Sequence, residues 1–310
     1  MRILTGIDIG GTKCAVIKGT EDGKVLEKIK IPTTTYQETI ENIFKALDEQ
    51  GVGESIGISC GGPLDEKRGV ILSPPNLPTW DKVPICQMLS EKYKVPVAIR
   101  NDANACALAE WKFGAGVGKE NLVFLTFGTG LGAGLILNGK LYSGSTGNAG
   151  EVGHIGLSPF GPSGYGKNGS FEGFCSGSGL YELGRGIART YIQNGLSPAF
   201  IKDKNYNDFT VKDMADSARN GDKCALEVFD LCATMLGKGL AIIADMIDPE
   251  MIIIGSVYAR CEDLLKEKTI LEMRKNALGV ICDNLEIVPA KLSESIGDVA
   301  SLAVASSILN

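Results

Sequence analysis

The chain has 310 residues, with 31 lysines and arginines, 37 aspartates and glutamates and a single histidine, for a net charge of −6. Hydrophobic residues make up 44% and charged residues 22%; this balance excludes a disordered chain and leaves enough apolar surface for two domains with a core each. The acidic balance opposes the basic surface that neutralises a nucleic-acid backbone, so nucleic acid is not an expected partner.

The first residues, "RILTGIDIG", read directly as a strand without a basic leader, and no apolar stretch reaches the length of a membrane span. Three short β runs follow one another in "ILTGIDIGGTKCAVIKGTEDGKVLEKIKI", joined by tight turns at Gly10-Gly11-Thr12-Lys13 and Glu21-Asp22-Gly23-Lys24. A helix is expected over Tyr36 to Gln50, then the strand "SIGISCGG", the Pro-rich passage "SPPNLPTWDKVP", a helix ending near Tyr93, the strand "VPVAIR" and a helix from Asn104 onward. This alternation belongs to an α/β domain.

The opening pattern then returns as "NLVFLTFGTGLGAGLILNGKLYSG": a strand, a Gly/Thr turn, a strand, an Asn-Gly turn and a third strand. Two related domains are therefore expected. Helical patterning over Gly179 to Asn194 and Val211 to Ile247 precedes the strands "EMIIIGS" and "LEIVPA" and a final apolar helix from Ile296 to Leu309. Nine cysteines stand singly, mostly within apolar runs, and no C-x-x-C pair occurs. They read as reduced, buried thiols of a cytoplasmic protein.

"DIGGTK" lacks the spacing of a P-loop, but its hairpin tip directs backbone N–H groups at one point, with a hydroxyl from Thr12 and a cation from Lys13, which suits a phosphate. "FGTGLGAG" is followed by a strand where a dinucleotide fold would open a helix, which excludes that reading. Two such turns in two related domains suit a polyphosphate better than either does alone. In "RNDANA", Asn101 and Asp102 stand between a strand and a helix, where a carboxylate is either a helix cap or, beside bound phosphate, a base for an attacking hydroxyl.

Taken in order, "DIGGTK", "GGPLD", "RNDANA", "FGTGLGAG", "GEVGH" and "DPEMIIIG" resemble the ROK family of sugar kinases and repressors over nearly the whole chain. The resemblance implies an actin/hexokinase-like (ribonuclease H-like) α/β fold, two related domains around a cleft. The smaller would be 1–118 joined by the C-terminal helix 296–310, and the larger 119–295. It implies an ATP- and Mg²⁺-dependent kinase acting on the 6-hydroxyl of a hexose. Glucose is favoured over N-acetylmannosamine, N-acetylglucosamine or allose, and a cytoplasmic homodimer is expected.

Residue by residue, the resemblance makes Asp102 the catalytic base and assigns Gly62, Asn101, Glu151, His154 and Glu172 to the sugar. It assigns Gly10, Gly11, Thr12, Lys13, Gly128, Thr129, Gly130, Gly132 and Gly255 to ATP, and Asp8 to Mg²⁺. Repressors of the family carry a DNA-binding helix-turn-helix ahead of the first phosphate loop; Asp8 already lies in that loop, so the kinase is expected. Zinc-containing members read C-x-C-G-x-x-G-C-x-E, against which this chain has Ser163, Tyr165, Gly166, Gly169, Ser170 and Glu172. One imidazole and the nearby Cys175 do not make a four-ligand site, so no structural zinc is expected.

Overall fold

In the computed structural model, which describes residues 1–202 and 205–309, the chain opens with the antiparallel meander β1 (Ile3–Ile9), β2 (Lys13–Thr20) and β3 (Val25–Pro32). Helix α1 (Tyr36–Gln50) follows, its first turn capped by the Thr35 side chain. Then come β4 (Ile56–Cys60), the short pair β5 (Leu64–Asp65) and β6 (Val70–Ile71), α2 (Ile85–Tyr93), β7 (Val97–Asn101) and α3 (Asp102–Phe113). The first sheet has the order β3-β2-β1-β4-β7, with β1, β4 and β7 parallel.

The second sheet repeats this plan. Strands β8 (Leu122–Phe127), β9 (Leu131–Leu137) and β10 (Lys140–Tyr142) are followed by the ribbon β11 (Ser163–Gly164) and β12 (Lys167–Asn168) and the single turn α4 (Phe171–Phe174). Helices α5 (Gly177–Gln193), α6 (Val211–Arg219) and α7 (Lys223–Ile247) lead to β13 (Met251–Ile254). The chain continues through α8 (Val257–Arg260), α9 (Glu262–Asn276), α10 (Gly279–Asn284), β14 (Glu286–Pro289) and α11 (Ile296–Ser307). The order β10-β9-β8-β13-β14 matches the first sheet strand for strand, and β13 and β14 are parallel. The repeat expected from the two Gly/Thr turns is thus a repeat of topology.

Helix 211–247 is in fact two helices. Gly221, at φ +86°, turns the chain, and the Asp222 side chain caps α7 through the Ala225 N–H. The helix after "RN" begins at Asp102, two residues before the expected start, and the last helix closes at Ser307; Asn310 lies outside the described residues.

The chain packs as two compact units, one of Met1–Phe124, Gly134–Ala149 and Ala290 onward, the other of Leu125–Ala133 and Gly150–Pro289. In the first, β4 is buried along its whole length between two layers. Ile43 and Leu47 of α1 and Leu89 of α2 pack with Ile56 and Ile58, while Leu302 and Ala305 of α11 pack with Leu4 and Ile17. Gly6 and Gly57 permit this second layer: a Cβ at Gly57 would stand 2.1 Å from the Ala305 backbone nitrogen, and one at Gly6 the same distance from Ser301 Oγ. Each fully buried Ile or Leu contributes about 1.5–3 kcal/mol to that packing. The sheet so fixed carries Asp8 and Asn101 at the C-terminal ends of β1 and β7.

Candidate active site

In the first unit, β1 and β2 are joined by Gly10-Gly11-Thr12. The Gly10 N–H donates to the Lys13 carbonyl (3.1 Å), and Thr33 holds the loop from outside, its N–H on the Thr12 carbonyl (3.1 Å) and its hydroxyl on that of Gly10 (2.6 Å). Among the described residues no acceptor takes the Gly11 and Thr12 N–H groups, and Thr12 and Lys13 are exposed. A Cβ at Gly11 would stand 2.8 Å from Asn76. The tip is therefore rigid, bare and rich in free donors, as an anion site requires.

Asp8 stands just before this loop. Burial, and then the carboxylate of Asp298, push its carboxyl up to about 6, against the opposing pull of Lys28, which pairs with Asp298 at 2.5 Å. Desolvated carboxylates beside a phosphate loop fit a hard divalent cation. No group of three or more His, Cys, Asp or Glu converges among the described residues.

The two readings of Asp102 separate here. Asn101 is the N-cap of α3, its side-chain oxygen accepting from the Asn104 N–H at 2.7 Å, and Asp102 is the first helical residue. Asp102 accepts from its neighbour, the Ala103 N–H, at 2.8 Å. Its carboxylate keeps contact with water though protein atoms surround it closely, and burial raises its pKa. It lies near enough to Asp8 to raise that group as well. Gly62 follows β4 with an exposed backbone.

Sequence reasoning missed Glu66. Its carboxylate, with a side chain only 6% exposed, accepts from the Asn101 N–H (2.9 Å), the Asn104 side-chain amide (3.1 Å) and the Ser143 hydroxyl (3.3 Å), with Arg100 Nε at 3.8 Å. A buried charge held by several donors fixes the strand-to-helix junction that presents Asn101 and Asp102. In the sequence it follows "GGPLD" as one more acidic residue, and only tertiary structure gives it this place.

In the second unit the link between β8 and β9 is Gly128-Thr129-Gly130. Gly128 donates to the Gly130 carbonyl (3.1 Å) and accepts from Gly177 (2.7 Å), while the Gly132 N–H is held by the Thr126 hydroxyl (2.9 Å). The N–H groups of Thr129 and Gly130 have no acceptor among the described residues, which repeats the arrangement at Gly11 and Thr12. Beside this loop is an open cavity of about 500 Å³ lined by Thr129, Gly177, Ser178, Tyr181, Glu182, Val211 and Val257. Gly255, two residues before Val257, ends β13 with its N–H on the Leu125 carbonyl (2.9 Å).

Glu172 does more than expected. One of its oxygens accepts the Leu131 N–H at 2.9 Å, so it anchors the Gly/Thr loop, and a Cβ at Gly130 would stand 2.7 Å from that oxygen. Gly130 itself is not in the left-handed region. Glu151 precedes and His154 ends a single 3₁₀ turn, Val152–His154, with His154 Nε2 3.9 Å from a Glu151 oxygen and the Lys167 ammonium on the His154 carbonyl (2.7 Å).

The three positions aligned with zinc cysteines are put to other uses. Ser163 lies in the β11–β12 ribbon, Tyr165 at its turn, and the buried Ser170 hydroxyl caps α4 through the Gly173 N–H (3.1 Å). Cys175 is turned into the core, its thiol toward the Cys232 carbonyl. These residues do not fit a zinc site.

A model of the ROK family matches residues 4–307. The chain belongs to the ROK family. It is 34% identical over 270 residues to a glucokinase of Streptomyces coelicolor, covering 86% of this chain and 85% of that protein. A crystal structure of a ROK glucokinase from Streptomyces griseus, in complex with glucose and AMPPNP, is 31% identical with a TM-score of 0.79, covering 98% of this chain and 99% of that one. A ROK transcriptional regulator, described as a homologue of the E. coli MLC protein, is 25% identical with a TM-score of 0.85; 99% of this chain aligns with 78% of it. The fold is the actin/hexokinase-like fold of these ROK structures. No described helix is long and apolar enough to cross a membrane.

Proposed function

We propose that this ROK protein is an ATP-dependent kinase that transfers the γ-phosphoryl group to the 6-hydroxyl of a hexose, with glucose the favoured substrate. The observation that carries this reading is the division of labour at the start of α3: Asn101 caps the helix, which leaves the Asp102 carboxylate clear of the cap, open to water on one side and raised in pKa by the protein atoms around it. A carboxylate so placed accepts the proton of the 6-hydroxyl as the oxygen attacks phosphorus, and ADP leaves. The free N–H groups of Gly11, Thr12, Thr129 and Gly130 donate to phosphate oxygens, with Lys13 adding a positive charge. Asp8 would hold Mg²⁺, which spreads the charge of the phosphates when bound.

Asn101, Glu151, His154, Glu172 and the backbone at Gly62 bind the sugar hydroxyls in this reading. The cavity lined by Thr129 and Val257 takes the adenosine, with Gly255, two residues before Val257, assigned to the same nucleotide. The sheets support functional domains of 1–118 with 296–310 and of 119–295, and the working form is a cytoplasmic homodimer. A coupled ADP-release assay over glucose, N-acetylmannosamine, N-acetylglucosamine and allose tests the proposal. Glucose should give the highest kcat/KM, and a protein that turns over no sugar is not this kinase.

The likeness to the ROK regulator favours a second reading, a sugar-sensing protein without turnover. The net charge of −6 counts against DNA binding. Sugar-dependent binding of the purified protein to duplex DNA, without ADP release, would establish it.

A further inference from the structure

The residue of interest is Tyr165, at the turn of the β11–β12 ribbon. Gly164 pairs with Lys167, so Tyr165 and Gly166 form a two-residue turn, both with positive φ, +46° and +78°. Such turns favour Asn, Asp or Gly at both places, because a side chain beyond Cβ gains nothing there and the left-handed backbone is strained for it. Tyr165 is also 72% exposed, so burial does not explain a large aromatic residue at a strained position.

Its aromatic contact with His154 does. The phenol ring and the imidazole of His154 form a T-shaped pair, with centroids 5.3 Å apart and an interplanar angle of 84°. This is the geometry in which the positive edge of one ring meets the negative face of the other. His154 is itself half exposed, 47% at the side chain, and its Nε2 lies 3.9 Å from a Glu151 oxygen, too far for a hydrogen bond that would fix the ring. Lys167, two residues after Tyr165, holds the His154 carbonyl at 2.7 Å. One short ribbon therefore grips both the main chain and the ring of the same histidine.

We propose that Tyr165 is a positioning residue that fixes the imidazole of His154 in the orientation used to bind the sugar. This rests on the reading of His154 as a sugar ligand. The ribbon does by ring packing and one ammonium contact what a metal bound to the imidazole would do by coordination. The donors present are one imidazole, the neutral hydroxyl of Ser163 and that of Ser170, which caps α4; hydroxyls are poor replacements for thiolates, and these residues do not fit a zinc site. Strain at Tyr165 persists because the ring is needed at that point.

The test uses the full chain and compares Y165F, Y165N, Y165A and H154A in steady-state kinetics with glucose, or with whichever hexose of the panel gives the highest kcat/KM. Asn favours the left-handed turn, so Y165N preserves or improves the ribbon while removing the ring. The expected result is a sugar KM raised about tenfold in Y165N and Y165A, with ATP KM and kcat within about twofold of wild type. Y165F should keep the wild-type sugar KM, because the contact is between the two rings and Phe keeps the ring. The melting temperature of Y165N should equal or exceed that of wild type. A wild-type sugar KM in Y165N together with a raised one in H154A would overturn the proposal alone. An unchanged sugar KM in H154A, or no turnover of any sugar in the panel, would overturn the sugar-ligand reading and the proposal with it.

Discussion

Asp8 is held at a cost to the fold. Its carboxyl is raised above the ordinary range to about 6 by burial and by Asp298, so the folded state binds a proton more tightly than the unfolded chain does. The penalty is absent below the unfolded pKa, grows between pH 4 and 6, and is full above that; its upper bound is about 3 kcal/mol. Asp8→Asn should therefore raise the melting temperature of the Mg²⁺-free protein at pH 7.5 and leave it unchanged near pH 4, while phosphoryl transfer falls sharply. Equal gains at both pH values would point to packing and not to charge. Asp102→Asn should keep sugar binding nearly intact and lower kcat by about 10²–10⁴-fold, because the amide keeps the shape but takes no proton. Turnover within tenfold of wild type would exclude Asp102 as the base.

At the scale of elements, the two three-residue links, Gly10-Gly11-Thr12 and Gly128-Thr129-Gly130, show what their sequences can and cannot tell. Both were legible as Gly/Thr turns between strands, since the alternation around them is strong, and the duplicated strand order followed from their recurrence. The support of each loop was not. Thr33 behind the first, Glu172 behind the second and Glu66 behind Asn101 lie 23, 41 and 35 residues away from their partners, and no local pattern connects residues so far apart. The helix boundaries missed, at Asp102 and at Gly221-Asp222, are capping decisions taken by single side chains. Because Glu172 fills the space beside Gly130, Gly130→Val should displace the carboxylate and free the Leu131 N–H. The ATP KM and the sugar KM should both rise, each at least about tenfold by loss of a charge-assisted hydrogen bond and of loop geometry. A change confined to ATP would separate Glu172 from the sugar.

For the whole molecule, the question is what holds the segment from Gly150 to Gly173 together. Backbone pairs do most of this: the Phe171 N–H on the Ile155 carbonyl (2.8 Å), the Leu157 N–H on that of Gly169 (2.9 Å), and the bridge between Gly156 and Ser170. Each contributes about 1 kcal/mol net, and Phe171 and Phe174 add buried aromatic surface on α4. With backbone pairs securing the segment and hydroxyl-bearing residues at Ser163, Tyr165 and Ser170, no zinc is expected there, and a zinc-selective chelator that spares Mg²⁺ should leave both the melting curve and the kinetics unchanged. The same melting curve also reports ligand binding. At a hundredfold excess of sugar over its Kd the native state gains about 2.7 kcal/mol, which for a chain of this length corresponds to a rise of roughly 4 °C. That rise should be the same with and without chelator, and it should shrink at equal sugar concentration in Tyr165→Asn as in His154→Ala. One equivalent of zinc per purified chain, lost together with the sugar-induced rise on chelation, would show that a metal and not the ribbon supports the site.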